Sequence, residues 1–323
     1  AVSALTDAVD EVLNGKRKKV FACVRPPGHH AAAYENLPYG FCIYNSVAIG
    51  ARYAQKKYGL KRVAIFDWDV HHGDSTSEVL YKDPSVLYMS VHRFDKGEYF
   101  PYKTGDMKHL GEGEGLGYNL NIGWDLPRKD YTIGDHEYVY ALERIFAPII
   151  KEFDPELIFV SCGFDAARGD PLGGLDVTPD GFAYMTKRLL ELGNGKLIMA
   201  LEGGYNAQAL ANSAESCLRI LLGEEMPLKN TVNHEKFELM KSKCTPNLVG
   251  YQTVDQAYEL FKQSWPCLEK DKDAQAFFQT VEANRLKDNQ IPDTVAGGHA
   301  DTLYFRGDKV CKVCKKDELT FYH

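Results

Sequence analysis

The chain has 323 residues, 44% of them hydrophobic and 26% charged, with a formal net charge of −7. This suits one large α/β domain with an appendage, or two ordinary domains. The acidic balance argues against direct nucleic-acid binding, and no run approaches the roughly 18 apolar residues of a membrane span.

The chain opens on Ala1 with no targeting pattern behind it, so its natural start is expected upstream. Five short apolar runs predict buried strands: Val20–Val24, Val63–Phe66, Val86–Val91, Leu157–Ser161 and Leu197–Leu201. Helical periodicity lies between most of them, over Ile43–Lys57, Asp135–Glu152 and Asp180–Leu192, the last opened by Thr178-Pro179. Another helix is expected over Gln208–Leu222. This alternation predicts a largely parallel sheet with helices on both faces. Beyond Gly223 the pattern changes: 224–250 reads as loop, Val254–Trp265 as an amphipathic helix and Asp271–Leu286 as a second, and 287–323 as polar and turn-rich. Eight cysteines without framework spacing imply reduced thiols, with Cys23, Cys42, Cys162 and Cys217 expected as small core residues.

Ligands of a parallel sheet bind beyond the carboxyl ends of its strands. There the sequence places Arg25-Pro26-Pro27-Gly28-His29-His30, Asp67-Trp68-Asp69-Val70-His71-His72-Gly73-Asp74, Cys162-Gly163-Phe164-Asp165 and Glu202-Gly203-Gly204-Tyr205. Side chains alternate along an extended strand, so Asp67, Asp69 and His71 project to one side. Two carboxylates buried together without a cation would cost several kcal/mol, roughly, per charge. A catalytic zinc takes three protein ligands and keeps one position open. Asp69 and His71 supply two of them. Asp165 is the natural third, although alone it would also serve as a helix N-cap ahead of Ala166-Ala167. The tandem His29-His30 reads as an acid/base pair, with Asp67 and Asp74 available to fix the ring tautomers. Tyr205, behind two glycines, could donate a hydrogen bond to a developing oxyanion.

These residues, in order and at compatible spacing from about residue 4 to 225, resemble the zinc-dependent histone deacetylases. The resemblance is carried by Arg25–Ala31, Gly40-Phe41-Cys42, Asp67–Gly73, Asp83–His92, Gly163–Gly174 and Glu202–Asn206, in wording close to class II. It implies an arginase-like fold with an eight-stranded parallel sheet. It also implies a catalytic domain over 1–268, N-terminally incomplete because the family's opening strand and helices have no counterpart before Ala1, with 269–323 as an extension of unassigned role. Zinc would sit on Asp69, His71 and Asp165. His30 would be general base and then acid and His29 its electrostatic partner, backed by Asp74 and Asp67 respectively, while Tyr205 would polarise the acetyl carbonyl. Gly40, Phe41, Phe100, Gly203 and Gly204 would line the lysine tunnel. A structural potassium would involve Asp67, Asp69, His71, Ser90 and Val91.

The implied reaction is hydrolysis of N6-acetyl-lysine in histone tails or other proteins by a metal-activated water. Corepressor subunits would be possible partners, and the setting nucleus or cytoplasm, with neither nucleic acid nor membrane bound directly. An acetylpolyamine deacetylase and a non-catalytic corepressor scaffold are the alternatives. Asp74 departs from the Asn usual in class II, which should raise the basicity of His30, and the loop Ala31–Tyr39 reads as two residues longer than usual. Cys311-x-x-Cys314 is half a zinc knuckle with only His323 and His299 to complete it.

Overall fold

The computed structural model describes residues 1–31, 38–126, 131–225, 240–288, 303–306, 309–312 and 321–322. Residues 32–37 of the loop between Ala31 and Tyr39, the side chains of Cys311 and Cys314, and His299 and His323 lie outside the described residues.

Its centre is a wholly parallel sheet of β1 (Lys19–Ala22), β2 (Val63–Asp67), β3 (Val86–Arg93), β4 (Asn119–Trp124), β5 (Leu157–Cys162) and β6 (Leu197–Leu201). The order is β1-β6-β5-β2-β3-β4, paired in parallel throughout. Six strands stand in this sheet among the described residues, not the expected eight, and β1 forms one edge. All five anticipated strands are present. The sixth, β4, was not expected because Asn119 and Asn121 break its apolar run, although Leu120, Ile122 and Trp124 alternate with them into the core.

That alternation divides the interior. Ala64, Phe66, Leu87, Met89, Ile158 and Val160 face one large cluster, and Val63, Ile65, Val86, Tyr88, Leu157 and Phe159 face the other. The second cluster is covered by α1 (Val2–Leu13) and α2 (Ser46–Tyr58), through Leu5, Val9, Val12, Val47, Ala51 and Ala54. α1 was not among the expected elements, although Leu5, Ala8, Val9 and Val12 carry a helical spacing.

α3 (Asp74–Leu80) was also unexpected, since Asp-Ser-Thr-Ser is poor helix-forming sequence. Tertiary bonds hold it: Asn45 donates to Ser75 and Thr76 hydroxyls, and the Ser75 amide donates to the His29 carbonyl.

The first cluster is covered by α4 (Asp135–Ala141), a π turn at Leu142–Phe146, α5 (Ala147–Phe153), α6 (Pro179–Leu192), α7 (Ala207–Leu222) and α8 (Leu248–Phe261). The single helix expected at Asp135–Glu152 is thus interrupted by a π turn. There Arg144 is buried with its guanidinium carbon 3.8 Å from the Tyr258 ring centroid and 4.2 Å from that of Phe278. After the short α9 (Cys267–Lys270), α10 (Lys272–Asp288) sets Phe277 and Val281 into the same core. A small antiparallel sheet follows: β7 (Leu303–Arg306), β8 (Lys309–Lys312) and β9 (Phe321–Tyr322).

Cys42, Cys162 and Cys217 are buried free thiols as expected, whereas Cys23 is exposed at the end of β1.

Trp265 is 6% exposed, packs edge-on against Tyr118 and Phe153, and donates its indole N–H to the Gly117 carbonyl at 2.7 Å. Trp265→Ala should cost about 3–5 kcal/mol of stability, read from denaturant unfolding, because it opens a cavity and orphans a buried carbonyl.

Candidate metal centre

The carboxyl ends of β1, β2, β5 and β6 carry the site, as the spacing predicts. Asp69 and His71 follow β2 and Asp165 follows β5, all three buried, with one donor atom each lying within 4.8 Å of one another. His71 Nδ1 stands 3.1 Å from Asp69 Oδ1 and 3.1 Å from Asp165 Oδ2. Asp165 caps no helix, because 163–176 is irregular backbone. Its Oδ1 accepts the Val70 amide at 2.9 Å, while Asp69 accepts the His71 amide at 2.9 Å and the Gly203 amide at 2.8 Å.

Backbone comes close enough to make these bonds because two neighbours lack a side chain. A Cβ on Gly163 would collide with the Asp69 carboxylate, and one on Gly203 with both Asp165 and Asp69.

The residues fit a divalent cation. Burial opposes charge on His71, yet Asp165 and Asp69 outweigh it and lift the imidazole to about 10. A proton is thus drawn to the place where one doubly charged ion would satisfy two carboxylates and an imidazole together. Asp165 is raised by burial and by the neighbouring Asp69. An oxygen-rich set with one imidazole suits a Lewis-acid zinc more than a structural one.

The rings of the two tandem histidines lie 4.0 Å apart between centroids, tilted by 47°. His29 Nδ1 lies 3.1 Å from Asp67 Oδ2, and Asp67 also accepts the Tyr88 hydroxyl at 3.1 Å. Burial works against a charge on His29, but Asp69, Asp67 and Glu202 together raise it well above the usual histidine range. His30 Nδ1 is 2.6 Å from Asp74 Oδ1, which leaves Nε2 free to take a proton.

Burial, and then the charge of His29, hold His30 well below its ordinary range. Asp74, pushed up to about 7 by its own burial, is only partly ionised near neutrality. The basicity expected for His30 from Asp74 is therefore offset by its surroundings. α3 sets this pair, because it begins at Asp74 and its Ser75 and Thr76 amides donate to the His29 carbonyl.

At the rim, Tyr39 and Cys42 exchange both backbone hydrogen bonds around Gly40 and Phe41, whose φ values are 52° and 66°. This is a type I′ turn with a phenylalanine in a left-handed position, a strained state costing on the order of 1–3 kcal/mol. It leaves Phe41 71% exposed, with its ring 5.9 Å from Tyr205. Phe100 packs edge-on against His30 at 5.1 Å and His71 at 5.7 Å. A Cβ at Gly40 would meet the His30 ring, and Gly204 takes a φ of 126°. Ser90 pairs with Asp67 across β2 and β3, and its hydroxyl meets His92 Nδ1 at 2.9 Å.

Two residues of the site had no expected role. Glu202 is buried, and its Oε2 accepts the Gly28 and His29 amides at 2.6 and 3.2 Å. Asp170 accepts the Tyr205 amide at 2.7 Å and the Asn206 amide at 3.1 Å. Both are acids beside Gly-rich backbone, but only the folded loops show which amides they serve.

The histone deacetylase domain family matches residues 1–221. Histone deacetylase 6 of Caenorhabditis elegans is 41% identical over 265 residues, covering 80% of this chain and 27% of that protein. Histone deacetylase HDA1 of Candida albicans is 45% identical over 229 residues, 70% of this chain and 26% of the relative. Histone deacetylase 9 of Homo sapiens is 44% identical over 238 residues, 73% and 23% respectively. The chain thus spans about a quarter of the length of these relatives. The crystal structure of the HDA15 HD domain superposes with a TM-score of 0.74 at 37% identity, covering 85% of this chain and 70% of that one.

Asp165→Asn should weaken zinc uptake by at least about 100-fold, followed by equilibrium dialysis against the unsubstituted chain binding one ion. Glu202→Ala orphans two buried amides at roughly 1–3 kcal/mol each. Its thermal transition should fall, while its zinc stoichiometry stays at one.

Proposed function

The chain belongs to the histone deacetylase family, class II, and from that premise we propose that it hydrolyses N6-acetyl-lysine in histones or other proteins to lysine and acetate. The observation that carries this reading is one cleft holding a three-ligand cation set and a histidine with one free ring nitrogen. Zinc held by Asp69, His71 and Asp165 would supply a Lewis acid for the acetyl carbonyl and a more acidic water.

The side chains of the chain then divide the work. Nε2 of His30 takes the proton of the attacking water and returns it to the departing lysine amine, with Asp74 holding the other nitrogen. His30 is suited to the first task because burial keeps it neutral. His29, positively charged and backed by Asp67, adds a fixed charge beside the reacting centre. The Tyr205 hydroxyl remains protonated through burial and donates to the tetrahedral oxyanion. Phe41 and Phe100, with Gly40, Gly203 and Gly204, form the narrow walls that admit an acetylated lysine stem and exclude bulkier groups.

A structural potassium at Asp67, Asp69, His71, Ser90 and Val91 belongs to the same reading, as do an acetylated protein or histone tail as substrate, corepressor subunits as partners and action in nucleus or cytoplasm. The same reading keeps the catalytic domain at 1–268, with Phe277 and Val281 of the following extension packed into the large apolar cluster.

Activity on a fluorogenic acetyl-lysine peptide should vanish on chelation and return with zinc. Tyr205→Phe should lower kcat by about 100-fold or more with KM little changed, the expected loss of one oxyanion donor. A metal-replete chain that releases no acetate, or a Tyr205→Phe variant that turns over like the parent, would contradict this assignment.

A further inference from the structure

Tyr99 stands on the loop that follows β3 and takes no part in the chemistry outlined above. Its ring lies 5.2 Å from that of His71, with only 8° between the planes. The Arg93 guanidinium sits 4.5 Å from the same Tyr99 centroid. A guanidinium, a phenol and a metal-ligand imidazole therefore form one stack. The Tyr99 hydroxyl donates to the Leu172 carbonyl at 2.9 Å, and Arg93 Nη1 donates to the next carbonyl, Gly173, at 3.1 Å.

Those two carbonyls belong to the irregular segment that also carries Asp165, and Gly173 packs so tightly on the Asp165 carbonyl that a Cβ there would collide with it. Within the segment, Asp170 accepts the Leu172 amide at 2.9 Å and the Gly173 amide at 3.3 Å with one oxygen, and the Tyr205 amide at 2.7 Å with the other. Arg93 is fixed in turn by Asp95 at 2.7 Å and by its own amide on the Val70 carbonyl at 2.9 Å.

We propose that Tyr99 is a positioning residue for the cation site: its ring sets the plane of the His71 imidazole, and its hydroxyl holds the segment bearing Asp165. The proposal rests on the metal reading of Asp69, His71 and Asp165. Without the ring, His71 can rotate about its side-chain bonds. Without the hydroxyl, Leu172 loses the bond that ties its carbonyl to the β3 side of the cleft. Groups that orient metal ligands commonly change metal affinity by about 10–100-fold when removed.

The test uses the full chain loaded with cobalt(II), whose visible bands report ligand geometry, together with the rate at which the metal passes to a chelator. The parent should bind one cobalt per chain. Tyr99→Phe keeps the stack and loses the hydrogen bond, so release should quicken by roughly three- to tenfold with bands little altered. Tyr99→Leu loses both, so release should quicken by about 10–100-fold with shifted bands. Tyr118→Leu, at the amino end of β4 away from the cleft, serves as a control: it should lower the melting temperature and leave release at the parental rate.

Release within twofold of the parent in both Tyr99 variants, with unchanged bands, overturns the positioning role while leaving the metal reading intact. A parent chain that takes up no cobalt overturns the metal reading, and this role with it. Should Tyr99→Leu fail to fold, Tyr99→Phe decides alone, since it preserves the ring and its packing.

Discussion

The concentration of negative charge where the strands end is the constraint to which the rest of the molecule answers. Asp67, Asp69, Asp165 and Glu202 are all buried there, and carboxylates in such surroundings are costly unless each finds donors or a cation. The chain supplies donors from three sources. Backbone amides of Val70, His71 and Gly203 reach the ligand carboxylates, amides of Gly28 and His29 reach Glu202, and imidazoles and a tyrosine hydroxyl supply the remainder. What is left is a doubly negative cradle around one imidazole, suited in size and charge to a single divalent ion.

The same constraint explains why the loops of the cleft keep their shape without regular secondary structure. Each is tied through an acid that accepts backbone amides or through a polar group on a neighbouring loop. Glu202 holds the turn of the two histidines, Asp170 holds the backbone of Tyr205, and Tyr99 with Arg93 holds the segment of Asp165. Rigid strands, packed on both faces by two separate apolar clusters, deliver the anchor points. Mutual positioning of reacting groups then depends on a few charge-assisted bonds, which are stronger and shorter than neutral ones.

Much of the site was legible along the chain because strand geometry is periodic. Asp67, Asp69 and His71 alternate at the end of an apolar run, and their common direction follows from that alone. The position of Asp165 beside them required only that a second strand end at the same sheet edge. β4 escaped notice because Asn119 and Asn121 interrupt its apolar character, and their burial makes sense only once Asn119 meets Ser77 and Asn121 meets the His109 carbonyl. α3 escaped because its stability is tertiary, held by Asn45 and the His29 carbonyl rather than by its own propensity.

By itself, the sequence determined the parallel α/β architecture, the strands that end in chemistry and the residue types that meet there, since these depend on local periodicity and on polar clusters after apolar runs. Only the tertiary structure decided that six strands make the sheet among the described residues, that burial and the charge of His29 hold His30 down, and that Glu202, Asp170 and Tyr99 brace the cleft. The physical reason is one of range. Hydrogen bonds, ring stacking and desolvation between residues dozens of positions apart have no signature along the chain until the fold brings them within a few ångströms.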